Sequence, residues 1–368
     1  MTTALNDTIK NILKCVLSER LRAALRPLKN YLFDNTYRGP WSAKVLEKTS
    51  VEQVKWDGKE KTNYNDINFD DIEFFEENAL AKVEKSLLGE ISGTKHKKSE
   101  MTHKERAFLN GIIRKTKPKT IVEIGLSAGG STCVILNAIS DMEDAKLYSF
   151  DYNTNWYWEK TLKNARKTGF LLEETVPELM SKWELYTGGV PCKYFDEHLP
   201  KDGIDIAFID TAHENPGEHL NILEILPYMK KNGIVILHDT VYHTLHSANG
   251  TTCHVVLNTL KGKHISLNSE ETMGLPNIGA IVLDENVDDM LLPLFSNVSL
   301  PWYYRISDDD FVEMYKHFSK YYSRYLMKIY VYYCYFYMND GLHNREYATR
   351  VAEKAVNDLE MRKEKAIQ

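Results

Sequence analysis

The stretch TIVEIGLSAGGST, residues 120–132, decides how this chain is read. Its first five residues are β-branched except for one acid, Glu123. The chain then breaks into Gly125, Gly129 and Gly130, with Ser127 and Ser131 among them, before apolar residues resume at helical spacing. A continuous apolar run is the mark of a strand buried on both faces. A glycine-rich turn after it allows backbone to be approached closely. The rest of the chain must say which ligand such a turn would hold.

Outward from that stretch, strand and helix patterns alternate. Further strands are expected at 146–151 (KLYSFD), 183–187 (WELYT), 204–210 (IDIAFID) and 233–239 (GIVILHD). Segments between them, such as 217–231, have helical spacing, and THKERAFLNGIIRKTKP reads as a helix capped by Thr102 and stopped before Pro118. Regular alternation implies a parallel sheet covered on both faces. KHISL and NIGAIVLD flank a turn-rich segment and read as an antiparallel hairpin closing one edge. The expected fold is therefore α/β: a doubly wound, mostly parallel, seven-stranded sheet with added helical regions at both ends. The expected organisation is a helical or irregular region over 1–100, a central domain over 101–290, and a Tyr-rich helical extension over 291–368.

Composition narrows the function classes. With 368 residues, 43% hydrophobic and 27% charged, the chain fits a soluble globular protein. A net charge of −6 argues against a nucleic-acid partner. Five scattered cysteines without a CxxC pair favour reduced thiols and a cytoplasmic location. Residues 8–29 form an apolar stripe at helical spacing, with six Lys or Arg against two acids in the first 30 residues. That helix is expected to pack on the body or a partner subunit; the alternative is peripheral contact with an anionic membrane. The uncharged run IYVYYCYFYM, 329–338, is half the roughly 20 residues a spanning helix needs. Residues 302–337 hold 11 of the 22 tyrosines, mostly at helical spacing, which suits packing or a homo-oligomer interface.

The order G-L-S-A-G-G-S lacks the G-x-G-x-x-G of dinucleotide-binding dehydrogenases. What remains, E-x-G-x-x-x-G, resembles motif I of the class I S-adenosylmethionine (SAM)-dependent methyltransferases, and the resemblance continues over about residues 101–285. It implies SAM as cofactor. A carboxylate such as Glu123 suits the cationic methionine end. Gly125, Gly129 and Gly130 would let backbone approach the ligand, and Ser127 and Ser131 would offer hydroxyls and cap the next helix. Asp151, ending the second strand, would accept the ribose hydroxyls.

The fourth strand ends in FIDTAHENPGEHL and the fifth in VILHDTVYH. Asp210 and Asp239 would emerge side by side, an arrangement that is costly without a compensating cation or proton. Hard oxygen ligands suit magnesium or another divalent ion. The pattern resembles the metal-dependent O-methyltransferases, including the macrocin and rhamnosyl sugar O-methyltransferases grouped with cephalosporin-hydroxylase-like proteins. In that family the residue three places after the first acid is the general base; here it is His213. The resemblance implies Asp210 and Asp239 around the ion and a sugar, glycan or natural-product hydroxyl as acceptor; His238, beside Asp239, would join the metal ligands, bind the acceptor or simply pack. Two departures stand out. The fifth-strand pair is His238–Asp239 instead of two acidic or amide residues. Gly188–Gly189–Val190 follows the third strand where the family often has Gly-Asp-Ser. The rival expectations are a non-catalytic methyltransferase-like assembly subunit and a nucleotide-dependent oxidoreductase on a similar sheet.

Overall fold

The computed structural model describes residues 77–246, 250–268 and 272–367. The expected helix over 8–29, Cys15 and most of the 1–100 region lie outside the described residues. The chain runs α1 (Glu77–Leu87), α2 (His103–Thr116), β1 (Thr120–Ile124), α3 (Gly130–Ala138), β2 (Lys146–Asp151), α4 (Leu171–Thr175), β3 (Trp183–Thr187), α5 (Cys192–His198) and β4 (Ile204–Ile209). It continues through α6 (Gly217–Ile225), β5 (Met229–His238), α7 (Tyr242–His246), α8 (Thr252–Thr259), β6 (Lys263–Asn268) and β7 (Pro276–Val282). Four helices close it: α9 (Asp288–Asn297), α10 (Asp308–Tyr321), α11 (Arg324–Met338) and α12 (Arg345–Ile367).

The strands form one seven-stranded sheet in the order β3-β2-β1-β4-β5-β7-β6. The first five are parallel, while β7 is antiparallel to both β5 and β6. The fold is the doubly wound, mostly parallel sheet that the sequence pattern predicts. The order reverses at β1, so β1, β4 and β5 carry their C-terminal ends to one edge, where such sheets bind ligands.

Every residue of β1 is buried, which explains its unbroken β-branched pattern. Ile121 faces a core shared with α1–α3, while Val122 and Ile124 face a core shared with α5, α6 and the C-terminal helices. At the start of α2 the Thr102 side chain accepts from the Glu105 N–H, and the Glu105 carboxylate accepts from the Thr102 N–H. This capping box fixes where the helix begins.

One element differs from expectation. The helix expected over 217–231 ends at Ile225, passes through a short 3-10 turn at Leu226–Tyr228, and gives way to β5 at Met229. Pro227 cannot continue an α-helix, and Met229 already pairs with Ile204 of β4. The C-terminal extension is not separate from the sheet domain: Phe311, Phe318, Tyr322, Tyr330 and Tyr335 share one core with Leu220, Leu223 and Leu226. The Tyr322 hydroxyl donates to the Leu223 carbonyl at 2.5 Å. The run at 329–338 lies in α11 with Tyr330, Val331, Cys334 and Tyr335 fully buried against this core. No helix among the described residues is long and apolar enough to cross a membrane.

Candidate active site

Three non-glycine residues at the C-terminal ends of β1, β4 and β5 hold left-handed backbone: Ser127 (φ 53°), His213 (φ 57°) and Asp239 (φ 52°). Such conformations cost of order 1 kcal/mol or more each and concentrate where a side chain must be aimed. The surrounding structure holds them in place. Gly125 (φ 84°) lets the β1 turn sit against β4, since a Cβ there would lie 2.0 Å from the Asp210 carbonyl oxygen. Gly129 (φ 103°) packs on α4, and its Cβ would lie 2.3 Å from Leu172. Both glycines thus serve chain-on-chain contact. The expectation that they make room for ligand is corrected on this point, because their missing side chains would point at protein. Gly130 faces the 98–99 segment, where a Cβ would meet the Lys98 carbonyl at 2.7 Å.

Glu123 does not reach the cleft. It is fully buried, and its carboxylate accepts from the hydroxyls of Ser131 (2.6 Å), Thr132 (2.9 Å) and Ser149 (2.7 Å). It braces α3 against β1 and β2. The Ser131 hydroxyl is therefore spent on Glu123, and the helix N-cap is Gly129 with no side-chain cap. Burial pushes the Glu123 carboxyl up to about 7, against the opposing effect of its three hydroxyl partners. A carboxyl with a raised folded pKa stabilises the fold while protonated. That stability is present below its ordinary 4.5 and is lost as pH rises through about 7. Between pH 5 and pH 8 the wild type is expected to lose about 2–3 kcal/mol relative to Glu123→Gln. Urea unfolding of both at the two pH values checks this, and parallel pH profiles would contradict it.

Asp151 ends β2 facing the glycine turn. Its Oδ2 accepts from the backbone N–H of Leu126 and of Ser127, both at 3.1 Å, and Oδ1 accepts from the Asn153 N–H at 2.8 Å. A carboxylate has about four acceptor positions, so these three bonds leave about one for a ribose hydroxyl. Ser127 Oγ accepts from the Trp156 indole N–H at 3.1 Å.

Beside this turn lies a cleft lined by Ser127, Ala128, Gly130, Trp156, Tyr157, Trp158, the segment 96–101, and Asp210. Trp158 stacks on His96 at 4.2 Å between ring centroids. The aromatic wall was missed from sequence, although NWYW at 155–158 was its visible signal.

Asp210 also belongs to a second cluster. His213 Nε2 lies 3.3 Å from Asp210 Oδ1 and 3.4 Å from Asp239 Oδ2. His238 Nδ1 lies 3.3 Å from Asp210 Oδ2 and 3.6 Å from Asp239 Oδ1. The structure therefore brings Asp210, His213, His238 and Asp239 together, all four named from sequence. Burial pushes the Asp239 carboxyl up, but His238, His243 and His213 outweigh it and hold it below the usual carboxylate range. Burial lowers His238, yet Asp210, Asp239 and Glu105 raise it well above the usual histidine range.

Four supporting residues were not legible in sequence. Glu218 on α6 is fully buried; its Oε1 accepts from the His213 N–H at 2.7 Å and lies 3.6 Å from His213 Nδ1. His243 stacks on His213 at 4.4 Å and reaches Asp239 Oδ2 at 3.2 Å. Asn277 Nδ2 donates to both Asp239 Oδ1 and Glu105 Oε1 at 2.9 Å. Glu105 lies 3.5 Å from His238, and burial raises its carboxyl while His238 and Thr102 lower it further, to about 2. Three carboxylates, Glu105, Asp210 and Asp239, thus face three imidazoles, His213, His238 and His243, in one partly buried site. The donors Asp210, His238 and Asp239, whose ligand atoms lie within 4.8 Å of one another, fit a divalent ion.

Residues 122–240 match the family model described as a methyltransferase domain. This stretch of the chain is similar to a methyltransferase domain. That stretch holds the glycine turn, the cleft's aromatic wall and the pair at the end of β5. No curated protein matches the chain by sequence. Among solved structures, it is similar to the O-methyltransferase TomG of Streptomyces achromogenes, involved in tomaymycin synthesis and solved with SAM. That likeness has 15% identity, covers 56% of this chain and 90% of that one, and has a TM-score of 0.40. An O-methyltransferase of Bacillus cereus, solved with S-adenosylhomocysteine, is 13% identical over 60% of this chain and 94% of that one, with a TM-score of 0.39.

Proposed function

We propose that this protein is a SAM-dependent O-methyltransferase that uses a divalent ion to methylate a hydroxyl of a sugar, glycan or natural-product acceptor. The observation that carries the proposal is the double membership of Asp210. It lines the aromatic cleft beside the glycine turn and is also a corner of the His213–His238–Asp239 cluster. A ligand in the cleft and a hydroxyl at the cluster would therefore meet across one carboxylate, and such juxtaposition supplies much of a transfer reaction's acceleration.

SAM, held by the Ser127–Ser131 turn, Asp151 and the Trp156–Trp158 wall, would supply an activated methyl group. A divalent ion on Asp210, Asp239 and His238 would supply positive charge that acidifies a bound alcohol. The remaining work falls to the chain itself. His213 Nε2 faces the carboxylates and takes the hydroxyl proton as general base. Glu218 fixes that ring from behind, through the His213 N–H and near Nδ1. Trp156, Tyr157 and Trp158 form an aromatic side of the cleft on which a nucleoside would pack. Asp239 is aimed by its left-handed backbone and held by Asn277.

The test is incubation with methyl-labelled SAM and a panel of nucleotide sugars, glycans and phenols, with and without chelator. Label is expected in a hydroxyl acceptor and is lost in chelator. Transfer only to nitrogen acceptors would overturn the oxygen specificity, and full transfer in excess chelator would remove the ion.

A further inference from the structure

The fifth-strand histidine makes this centre different from an all-oxygen one. His238 is 2% exposed, and neither ring nitrogen makes a hydrogen bond of good geometry. A buried imidazole without a hydrogen-bond partner is costly unless something else engages it. Its two edges face different surroundings. Nδ1 points to Asp210 Oδ2 (3.3 Å) and Asp239 Oδ1 (3.6 Å), whereas Nε2 points away, to Glu105 Oε2 at 3.5 Å. Two donors on one ion, each about 2.1 Å from it, sit roughly 3–4 Å apart. The Nδ1 edge already has that spacing. Glu105 is tied elsewhere, accepting from the Thr102 N–H at 2.7 Å and from Asn277 Nδ2 at 2.9 Å. The same Asn277 amide donates to Asp239. One buried pair, Glu105 and Asn277, thus supports both His238 and Asp239.

We infer that His238 is a metal ligand through Nδ1, with its Nε2–H held by Glu105, and that the centre therefore selects a nitrogen-accepting ion such as Co²⁺, Fe²⁺ or Zn²⁺ over Mg²⁺. Metal-bound histidines usually donate their other ring N–H to a carboxylate or carbonyl, which fixes the tautomer and strengthens the ligand. Imidazole suits the later first-row ions, while Mg²⁺ prefers oxygen and water. The expectation of magnesium rested on the hard oxygen donors Asp210 and Asp239, and the His238 nitrogen shifts that preference. The inference rests on the proposed metal-assisted reading for the presence of an ion, and its test does not use methyl transfer.

Full-length protein is titrated with Co²⁺ and with Mg²⁺ by calorimetry, and the Co²⁺ complex is examined by paramagnetic proton NMR. Co²⁺ is expected to bind at least about tenfold more tightly than Mg²⁺. Its spectrum should contain a strongly shifted, solvent-exchangeable resonance from the His238 Nε2–H. His238→Asp, which restores an oxygen donor, should remove that resonance and narrow the Co²⁺/Mg²⁺ ratio. Glu105→Gln should keep the site but weaken Co²⁺ binding about 10–100-fold. The inference is overturned if the wild type binds no Co²⁺, prefers Mg²⁺, or shows a shifted resonance that survives in His238→Asp. Methyl transfer without Co²⁺ binding would sink this inference alone, and Co²⁺ binding without any methyl transfer would sink the proposed function alone.

Discussion

His213→Ala is expected to lower methyl transfer by about 10²–10⁴-fold while leaving SAM binding intact. The ring is held from two sides. Glu218 accepts from its backbone N–H, and Nε2 lies between Asp210 and Asp239. It is not among the residues that line the cleft beside the glycine turn. Removing it therefore takes away the proton acceptor without opening the cofactor side. His213→Gln should be as inactive, since an amide fills space but does not accept the proton. The left-handed backbone at this position adds a second readout. Glycine adopts φ near 57° without steric cost, so His213→Gly should be at least as stable as His213→Ala while equally inactive. Wild-type turnover in His213→Ala would leave positioning alone to account for catalysis. Loss of metal affinity with turnover restored by excess ion would make His213 a ligand instead.

Truncation after residue 300 is expected to destroy the fold. The sequence allowed packing or an oligomer interface for the tyrosines of 302–337, and the structure shows much of that segment inside the main core. Phe311, Phe318, Tyr330 and Tyr335 are fully buried there with Leu220, Leu223 and Leu226. His317 Nε2 lies 2.8 Å from the Glu224 carbonyl oxygen, tying α10 to α6. Each buried aromatic is worth about 1.5–3 kcal/mol, and a whole domain is stable by only about 5–15 kcal/mol. Losing them together should give an insoluble or molten product. Phe318→Ala alone should cost about 3–5 kcal/mol, read from denaturant midpoints at unchanged slope. A truncated protein with a sharp unfolding transition would show that the extension is dispensable. Because α6 begins one turn after His213, moderate damage here should also lower turnover before it lowers cofactor binding.

The elements that carry strong periodicity could be read directly. β1, β2 and β4 are buried on both faces or nearly so, so their apolar runs were unambiguous, and the acids at their ends marked the ligand edge. Asp210 and Asp239 were found because they end predicted strands, and His213 and His238 because the family resemblance drew attention to the positions beside them. Glu105 was visible only as the third residue of a capping box. Its approach to Asn277, 172 residues away, is a tertiary fact with no local signature. Glu218 lay in plain view five residues after His213, but its fold-back depends on the turn between β4 and α6. The glycines were read as positions where the backbone is closely approached, yet sequence does not say what fills the missing Cβ. For Gly125 and Gly129 it is Asp210 and Leu172. Glu123 was misplaced for a related reason: an acid at a strand end may face a ligand or a neighbouring helix, and the hydroxyls of Ser131, Thr132 and Ser149 decide it.

The central claim is that the cleft between the glycine turn and the Trp156–Trp158 wall holds a SAM-type nucleoside. The most direct measurement is calorimetric titration of the full-length protein with S-adenosylhomocysteine, with NAD⁺ as control, while following tryptophan fluorescence. The account predicts one site per chain for S-adenosylhomocysteine, a fluorescence change that is reduced in Trp158→Phe, a raised melting temperature, and no binding of NAD⁺. No heat, no fluorescence change and no thermal shift at millimolar S-adenosylhomocysteine would contradict it.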